Sequence, residues 1–186
     1  MSRQIHLHEH PDRFVAGTVG LPGERTFYLQ VRSGSRVTSV ALEKTQVAVL
    51  ADRVDQLLDE VAQRRDDSVP PRTDVVSDVA SLDVPLMEEF RVGAMSLGWD
   101  DARHRMVIEA HAIAQEGQDV PEIDDDSDTE GPDTMRVWLD AADGRTFAAR
   151  ARQVVAAGRP PCPLCLQPLD PSGHICPRAN GYRRQG

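Results

Sequence analysis

All three cysteines of the chain lie near its carboxyl end, in a pattern that suits a metal ion. Cys162 and Cys165 form a Cys-x-x-Cys pair, and after eight intervening residues His174 and Cys176 form a His-x-Cys pair. Thiolates and an imidazole are the ligands that Zn²⁺ takes in tetrahedral structural sites. A segment this short cannot bury a core of its own, so metal binding would supply its folding free energy. These four residues are therefore the predicted zinc ligands.

Two other interpretations of the cysteines are open: a redox pair, and thiols that bind nothing. A redox Cys-x-x-Cys pair usually opens a helix that follows a strand, whereas here Pro160, Pro161 and Pro168 surround the pair. A disulfide would be unusual in the reducing cytosol. Because four protein ligands leave no coordination position for water, a zinc ion held by them is expected to be structural and not catalytic.

A second group of possible ligands, His6, His8 and His10, lies at the start of the chain. Alternate residues of a strand share one face, so three imidazoles at this spacing could converge on a metal. A terminal strand is poorly constrained. The favoured interpretation is therefore a solvated edge strand.

An acidic stretch, residues 115–134, contains Asp124, Asp126 and Asp128 at the spacing that opens a calcium-binding loop. The rest of the calcium pattern is missing, because position six is Thr129 instead of Gly and position twelve is Met135 instead of Glu. We therefore expect a mobile acidic loop between two strands.

Charge is unevenly distributed along the chain, whose net charge is −9. Residues 144–186 contain seven arginines and one acid, which leaves the rest of the chain strongly acidic. This asymmetry marks an anionic partner, or it lets an acidic body attract its own basic segment, and the second explanation is favoured. Residues 1–15 contain no apolar signal-peptide region, and no stretch is long and apolar enough to span a bilayer. The protein is expected in the cytoplasm.

Hydrophobic periodicity predicts the elements that must position these groups. From Glu43 to Val61 apolar residues recur every three or four positions, which predicts an amphipathic helix of about five turns. Residues 1–65 are therefore expected to form a β-β-β-α unit, and residues 66–85, with two adjacent prolines, a linker. The strands of this unit are β-rich stretches separated by turn signals, at residues 14–20, 26–31 and 36–42.

The same order of elements is predicted again in residues 86–158. Its strands are expected at residues 90–97, 103–114 and 135–139, and its helix at residues 146–157. Phe, Gly and Leu recur at matching offsets in the two halves, which indicates a repeat of about 75 residues. We predict an α+β protein with duplicated β-β-β-α units, antiparallel sheets and a zinc-binding tail, a zinc knuckle, at residues 159–186. The alternative is two unrelated sheets that use similar turns.

The chain resembles, over nearly its whole length, a family of actinobacterial repeat proteins of unknown function. The segment that contains the cysteines is the most specific part of this resemblance. The resemblance supports the zinc site and the duplication, and it implies no activity. It is carried by residues 11–20, 25–30, 42–44, 89–93, 97–100, 158–165, 173–176 and 180–182.

The sequence thus favours a non-enzymatic interaction or adaptor protein with a structural zinc ion and a protein partner. No phosphate-binding glycine loop, nucleophile elbow or His-Glu-x-x-His motif is present. One rival hypothesis is nucleic-acid binding through the arginines of the tail, where Tyr182 is the only aromatic residue. The other is an enzyme with a small-molecule site between the two units. Its candidate residues are Arg25, Tyr28, Glu43 and Lys44.

Overall fold

Seven strands of the described chain form one mixed sheet, and two helices pack on one of its faces. A computed structural model describes residues 3–64, 69–75, 77–116, 118–124, 131–158 and 162–165, together with Leu169 and Cys176. The strands are β1 Ile5–His8, β2 Arg13–Val19, β3 Thr26–Ser33, β4 Arg36–Leu42, β5 Glu88–Asp100, β6 Arg105–Ala112 and β7 Thr134–Leu139. The α-helices are α1 Lys44–Gln63 and α2 Ala141–Ala156, and Arg72–Asp74 form a short 3-10 helix.

Two antiparallel groups of three strands, β2–β4 and β5–β7, lie side by side in the sheet, whose order is β1-β7-β6-β5-β4-β3-β2. Two pairings are parallel, β4 with β5 and β1 with β7. The α+β class is confirmed and the sheet is mostly antiparallel, since every pairing inside the two groups of three strands is antiparallel; the sheet is mixed because of the two parallel pairings. After β4 the chain passes through α1 and returns to the same end of the sheet, so β5 must run parallel to β4.

The core lies between the sheet and the two helices. At the start of α2, Gly144 allows close packing, because a Cβ there would stand 2.7 Å from the Met106 Cε atom and 3.2 Å from the Leu58 Cδ1 atom. The rings of Phe14 and Phe147 stack with centroids 4.6 Å apart. The buried face of α1 keeps the predicted spacing of three and four residues, with Val47, Leu50, Val54, Leu58 and Val61.

The sheet curves so strongly that its edge strand β1 reaches β3 and β4. The His8 imidazole lies 2.7 Å (Nδ1) from the Ser33 hydroxyl oxygen and 3.0 Å (Nε2) from the Thr38 hydroxyl oxygen. The Arg36 side chain donates to the carbonyl oxygen of Leu7 on β1. The helices therefore sit in the hollow of the curved sheet.

Residues 77–85, which we call the strap, connect the helix side of the sheet to its outer face around the β2 edge. Its Asp78 carboxylate accepts from Arg13 on β2 at 2.6 Å and from Arg150 on α2 at 2.9 Å. The hydrogen bond from Arg13 is the largest cause of the lowered pKa of Asp78, which falls to about 2. The strap is thereby tied to both a strand and a helix.

Further along the strap, Leu82 covers Gly17 on the outer face. A Cβ at position 17 would stand 2.6 Å from the Leu82 Cγ and Cδ2 atoms, so only glycine leaves room for this contact. The amide of Asp83 donates to the Gln30 side chain at 2.7 Å, and Gln30 donates back to the Asp83 carbonyl at 3.1 Å.

In the described chain no helix is long and apolar enough to cross a membrane.

Candidate metal centre

The three cysteine sulfurs converge in the described part of the C-terminal segment. The Sγ atoms of Cys162, Cys165 and Cys176 all lie within 4.8 Å of one another, and the thiols are free of disulfides. Cys162 and Cys176 are buried, and their Sγ atoms stand 3.7 Å apart. In a tetrahedral site with Zn–S bonds of about 2.3 Å, two sulfurs stand about 3.8 Å apart. The separation therefore fits two ligands of one metal ion, whereas disulfide sulfurs would lie about 2 Å apart.

The local turn prepares Cys162 for this role. Cys162 is followed by a turn over residues 163–165, and its sulfur accepts hydrogen bonds from the backbone amides of Cys165 and Leu164. These bonds, the Cys165 amide first, lower the pKa of the Cys162 thiol to about 6. The thiolate is the form that coordinates a metal, so the turn favours the ligating state near neutral pH.

The fourth predicted ligand, His174, lies outside the described residues, so its role stays a prediction. Within the described ranges, no other group of three or more histidines, cysteines and acids brings its ligand atoms as close together as the three cysteines. The cysteine cluster is therefore the candidate metal centre of the described chain.

The amino-terminal histidines are directed to three different partners. His8 is only 1% exposed between the Ser33 and Thr38 hydroxyls, and burial is the main cause that lowers its pKa to about 4. The His6 ring lies 6.3 Å from the Phe90 ring, and His10 Nδ1 lies 3.1 Å from an Arg105 Nη atom. β1 is an edge strand as predicted, but the solvated interpretation is wrong for His8, because the curved sheet encloses it.

The described part of the acidic loop is pinned to the outer face of the sheet. The Asp124 amide donates to the Glu109 carboxylate at 3.1 Å, and the Asp124 carboxylate lies 3.1 Å from an Arg136 Nη atom. Asp126 and Asp128 lie outside the described residues. The rejected calcium pattern therefore contributes one described acid, and that acid pairs with an arginine.

Beneath Asp124 lies a buried polar cluster that the sequence pattern does not reveal. Glu109 on β6 and Arg136 on β7 are fully buried and form an ion pair. His111, also fully buried, lies 3.4 Å from Glu109 and 3.0 Å (Nδ1) from the Thr134 hydroxyl. Burial lowers the pKa of His111, and the Glu109 charge opposes this shift. Strand alternation puts Glu109 and Arg136 on the face opposite the core residues Ile108 and Val137, where charged side chains are ordinary, and the cross-strand register that pairs them is tertiary.

Two of the four candidates for a small-molecule site are brought together. Arg25 and Lys44 line one cavity of about 550 Å³ at the end of α2. Glu43 instead pairs with Arg91 at 2.8 Å. Tyr28 lies on the outer face of β3, since its neighbours Phe27 and Leu29 face the core.

The fold and the cysteine cluster together define an α+β protein with a candidate metal centre near its carboxyl end. The chain belongs to the family described as "Protein of unknown function (DUF3090)", whose model matches residues 6–176. The match ends at Cys176, so the whole cysteine cluster lies inside it. No curated protein and no solved structure matches the chain. Membership of an uncharacterised family is confirmed, and the actinobacterial origin and the repeat stay predictions.

Proposed function

We propose that this protein is a non-enzymatic interaction protein stabilised by one structural Zn²⁺, held by Cys162, Cys165, Cys176 and His174. The observation that carries the metal site is the 3.7 Å separation of the Cys162 and Cys176 sulfurs, with the Cys165 sulfur in the same cluster. Three thiolates and one imidazole form a soft tetrahedral donor set that suits zinc. With four protein ligands the ion would have no open position, so it would stabilise the tail and not act on a substrate.

Metal analysis tests the zinc site directly. Protein purified under reducing conditions should contain one zinc per chain, and Cys162→Ser and His174→Asn should each lower the zinc content strongly. His104→Asn is the matched control, because His104 is exposed and far from the cysteines in sequence, and its φ of 50° is one that asparagine tolerates. Absence of zinc from the wild type, with three titratable thiols, would refute the site.

Cobalt substitution separates the ligand set from the metal content. Co²⁺ bound by three thiolates in a tetrahedron should give intense visible absorption and sulfur-to-metal charge transfer, and both should weaken in Cys176→Ser. The removal of metal by a chelator should make the tail sensitive to protease, since metal binding supplies its folding free energy. A tail that resists protease equally without metal would contradict the structural role.

The interaction role rests on the same tail. A closed zinc site would leave the surface of the tail to make the interaction, and residues 159–186 contain four arginines and one acid in an otherwise acidic chain. We expect a cytoplasmic protein partner that docks on this tail. The wild type and Cys162→Ser should each be purified after crosslinking and nuclease treatment. A protein partner should then co-purify with the wild type and not with Cys162→Ser. Equal recovery by both proteins would separate the partner from the zinc tail.

We also infer that the chain contains a duplication, with units at residues 1–65 and 86–158 joined by residues 66–85. The inference is supported by the matching order of three antiparallel neighbours followed by a helix in each half. It predicts that β2, β3, β4 and α1 superpose on β5, β6, β7 and α2 in the same chain direction. A better superposition with a different pairing of elements would contradict it.

A further inference from the structure

A cavity of about 550 Å³ lies where the start of β3, the first turn of α1 and the end of α2 meet. Its volume falls in the range of small-molecule sites, which is about 300–1,000 Å³. Apolar side chains and glycines supply most of its wall, and two cations complete it. The described residues that line it are Gly23, Arg25, Phe27, Lys44, Val155, Ala156 and Gly158.

The charged groups of Lys44 and Arg25 both lie near Gly158. A Cβ at Gly158 would lie 3.4 Å from the Lys44 Nζ atom and 3.8 Å from an Arg25 Nη atom. The two charged groups are therefore less than about 8 Å apart, with an opening between them that the missing side chain of Gly158 leaves free. Two like charges at this distance repel each other, and a bound anion would relieve the repulsion.

No carboxylate of the described chain neutralises these cations. Within the described ranges, the Lys44 side chain forms no hydrogen bond or ion pair, and the Arg25 guanidinium only stacks on the Phe27 ring at 5.7 Å. Glu43, next to Lys44, is engaged by Arg91. By contrast, many other described arginines do pair with carboxylates within 4 Å, namely Arg13, Arg32, Arg72, Arg91, Arg103, Arg136, Arg145, Arg150 and Arg152.

We infer that this cavity binds a small phosphate monoester. Its phosphate would lie between Arg25 and Lys44, and its organic group would pack against Phe27 and Val155. A guanidinium and an ammonium are both suited to phosphate oxygens. A phosphate monoester carries a charge close to −2 above pH 7, which matches two cations better than the single charge of a carboxylate does.

A structural role for the two cations is the competing explanation. Both lie beside the end of α2, where the last carbonyls carry partial negative charge, and the Val155 carbonyl oxygen is 3.9 Å from the same Cβ position. Cations that only compensate the helix would stabilise the fold without selecting a ligand. Ligand binding and stability must therefore be measured on the same variants.

The first experiment is calorimetric titration of the full-length protein at pH 7.5 with phenyl phosphate, inorganic phosphate and benzoate. Phenyl phosphate should bind one per chain. Inorganic phosphate should bind more weakly because it lacks the apolar group, and benzoate more weakly because it carries one charge. Affinity should fall as salt is raised. No saturable binding of phenyl phosphate would overturn the proposal, and tighter binding of benzoate would replace phosphate by carboxylate as the ligand chemistry and overturn it as stated.

Three variants locate the site. Lys44→Gln and Arg25→Gln should each weaken phenyl phosphate binding by about tenfold or more, because each removes a charge-assisted hydrogen bond. Gly158→Asp should abolish binding, since its carboxylate would occupy the space between the cations. The matched control is Arg64→Gln, an exposed cation at the far end of α1, which should leave the affinity unchanged.

The affinities and thermal stabilities of these variants distinguish a ligand site from a structural role. Loss of binding in the three variants with unchanged thermal stability supports the site. Equal weakening in Arg64→Gln would show a general charge effect, and reduced stability without a change in affinity would show helix compensation; either result overturns the proposal. If Gly158→Asp fails to fold, the exposed Lys44→Gln variant still decides.

Discussion

Acid should weaken this fold through His8, the imidazole that joins β1 to β3 and β4. In the folded chain the pKa of His8 is lowered from 6.5 to about 4, first by burial and then by the charges of Arg36 and His6. The unfolded chain therefore binds a proton more readily than the folded chain between these two values. It follows that the contribution of neutral His8 is fully present above pH 6.5 and is lost as the pH falls toward 4.

The size of this effect follows from the two pKa values. At about 1.36 kcal/mol per pKa unit, the gap between 6.5 and about 4 corresponds to a full loss of about 3 kcal/mol. Most of this loss is reached by pH 4.5, where the unfolded chain is almost fully protonated at this position and the folded chain is not. A loss of this size is a large part of the 5–15 kcal/mol that is typical of the total stability of a domain.

Urea unfolding at pH 7.5 and pH 4.5 would measure the effect in the wild type and in His8→Gln. Glutamine can keep one hydrogen bond to Ser33 or Thr38 but cannot titrate. The variant should be less stable than the wild type at pH 7.5 by about 1–2 kcal/mol. This gap should close or reverse at pH 4.5. The comparison should be made with chelator present, so that protonation of metal ligands affects neither protein.

Ile108→Val is the matched control. Ile108 is fully buried, so the loss of a methylene should cost about 1 kcal/mol without changing any titration. Its gap to the wild type should stay constant between the two pH values. If the difference in stability between His8→Gln and the wild type were equally constant, the reasoning would be refuted. That reasoning is that acid destabilises the fold because His8 is protonated more readily in the unfolded chain.

Two further predictions concern the strap and the start of α2. Gly17→Ala should destabilise the protein by about 1–3 kcal/mol, because the new methyl group meets Leu82, and Leu82→Ala in the same chain should recover most of that loss; additive effects in urea unfolding would contradict the contact. Partial desolvation, then the Asp140 charge, raises the pKa of Asp143 to about 6 although the residue is exposed. Folding therefore favours its neutral form, and Asp143 increasingly destabilises the fold as the pH rises from 3.8 through 6. Asp143→Asn should therefore stabilise by up to about 1 kcal/mol at pH 7.5, after allowance for solvent screening, and by nothing at pH 3.5; a benefit that does not depend on pH would refute this reasoning.

Local patterns in the sequence predicted the elements well. The three- and four-residue spacing from Val47 to Val61 lies within α1, and the β-rich stretches of the first half correspond to β2, β3 and β4. The apolar periodicity predicts a start of α2 at residue 146, which is late because the helix begins directly after its N-cap residue, Asp140. Its side chain accepts from the Asp143 amide, and the helix begins at Ala141. The cysteine cluster was predictable because the spacing of metal ligands, like the spacing of apolar residues in a helix, is contained in one short segment.

Contacts between distant strands were not predictable in this way. The parallel pairing of β4 with β5 depends on where the chain returns after α1, and no residue of either strand encodes that path. The burial of His8 depends on the curvature of the whole sheet. The pairing of Glu109 with Arg136 depends on the register of β6 and β7, in which these two residues stand opposite each other. Each of these features is a property of the assembled sheet and not of a segment.

The arginines at the two edges of the sheet bear on how the protein avoids joining copies of itself. Arg150 donates to the Ala16 carbonyl oxygen on β2 at 2.7 Å while it also binds Asp78 of the strap, and Arg36 donates to the Leu7 carbonyl oxygen on β1. Exposed strand edges recruit other strands and lead to aggregation. A guanidinium, with five donors in a planar fork, can occupy an edge carbonyl and hold a carboxylate together, which a lysine ammonium does less well. Arg150 and Arg36 thus help to keep both edges closed to strand addition.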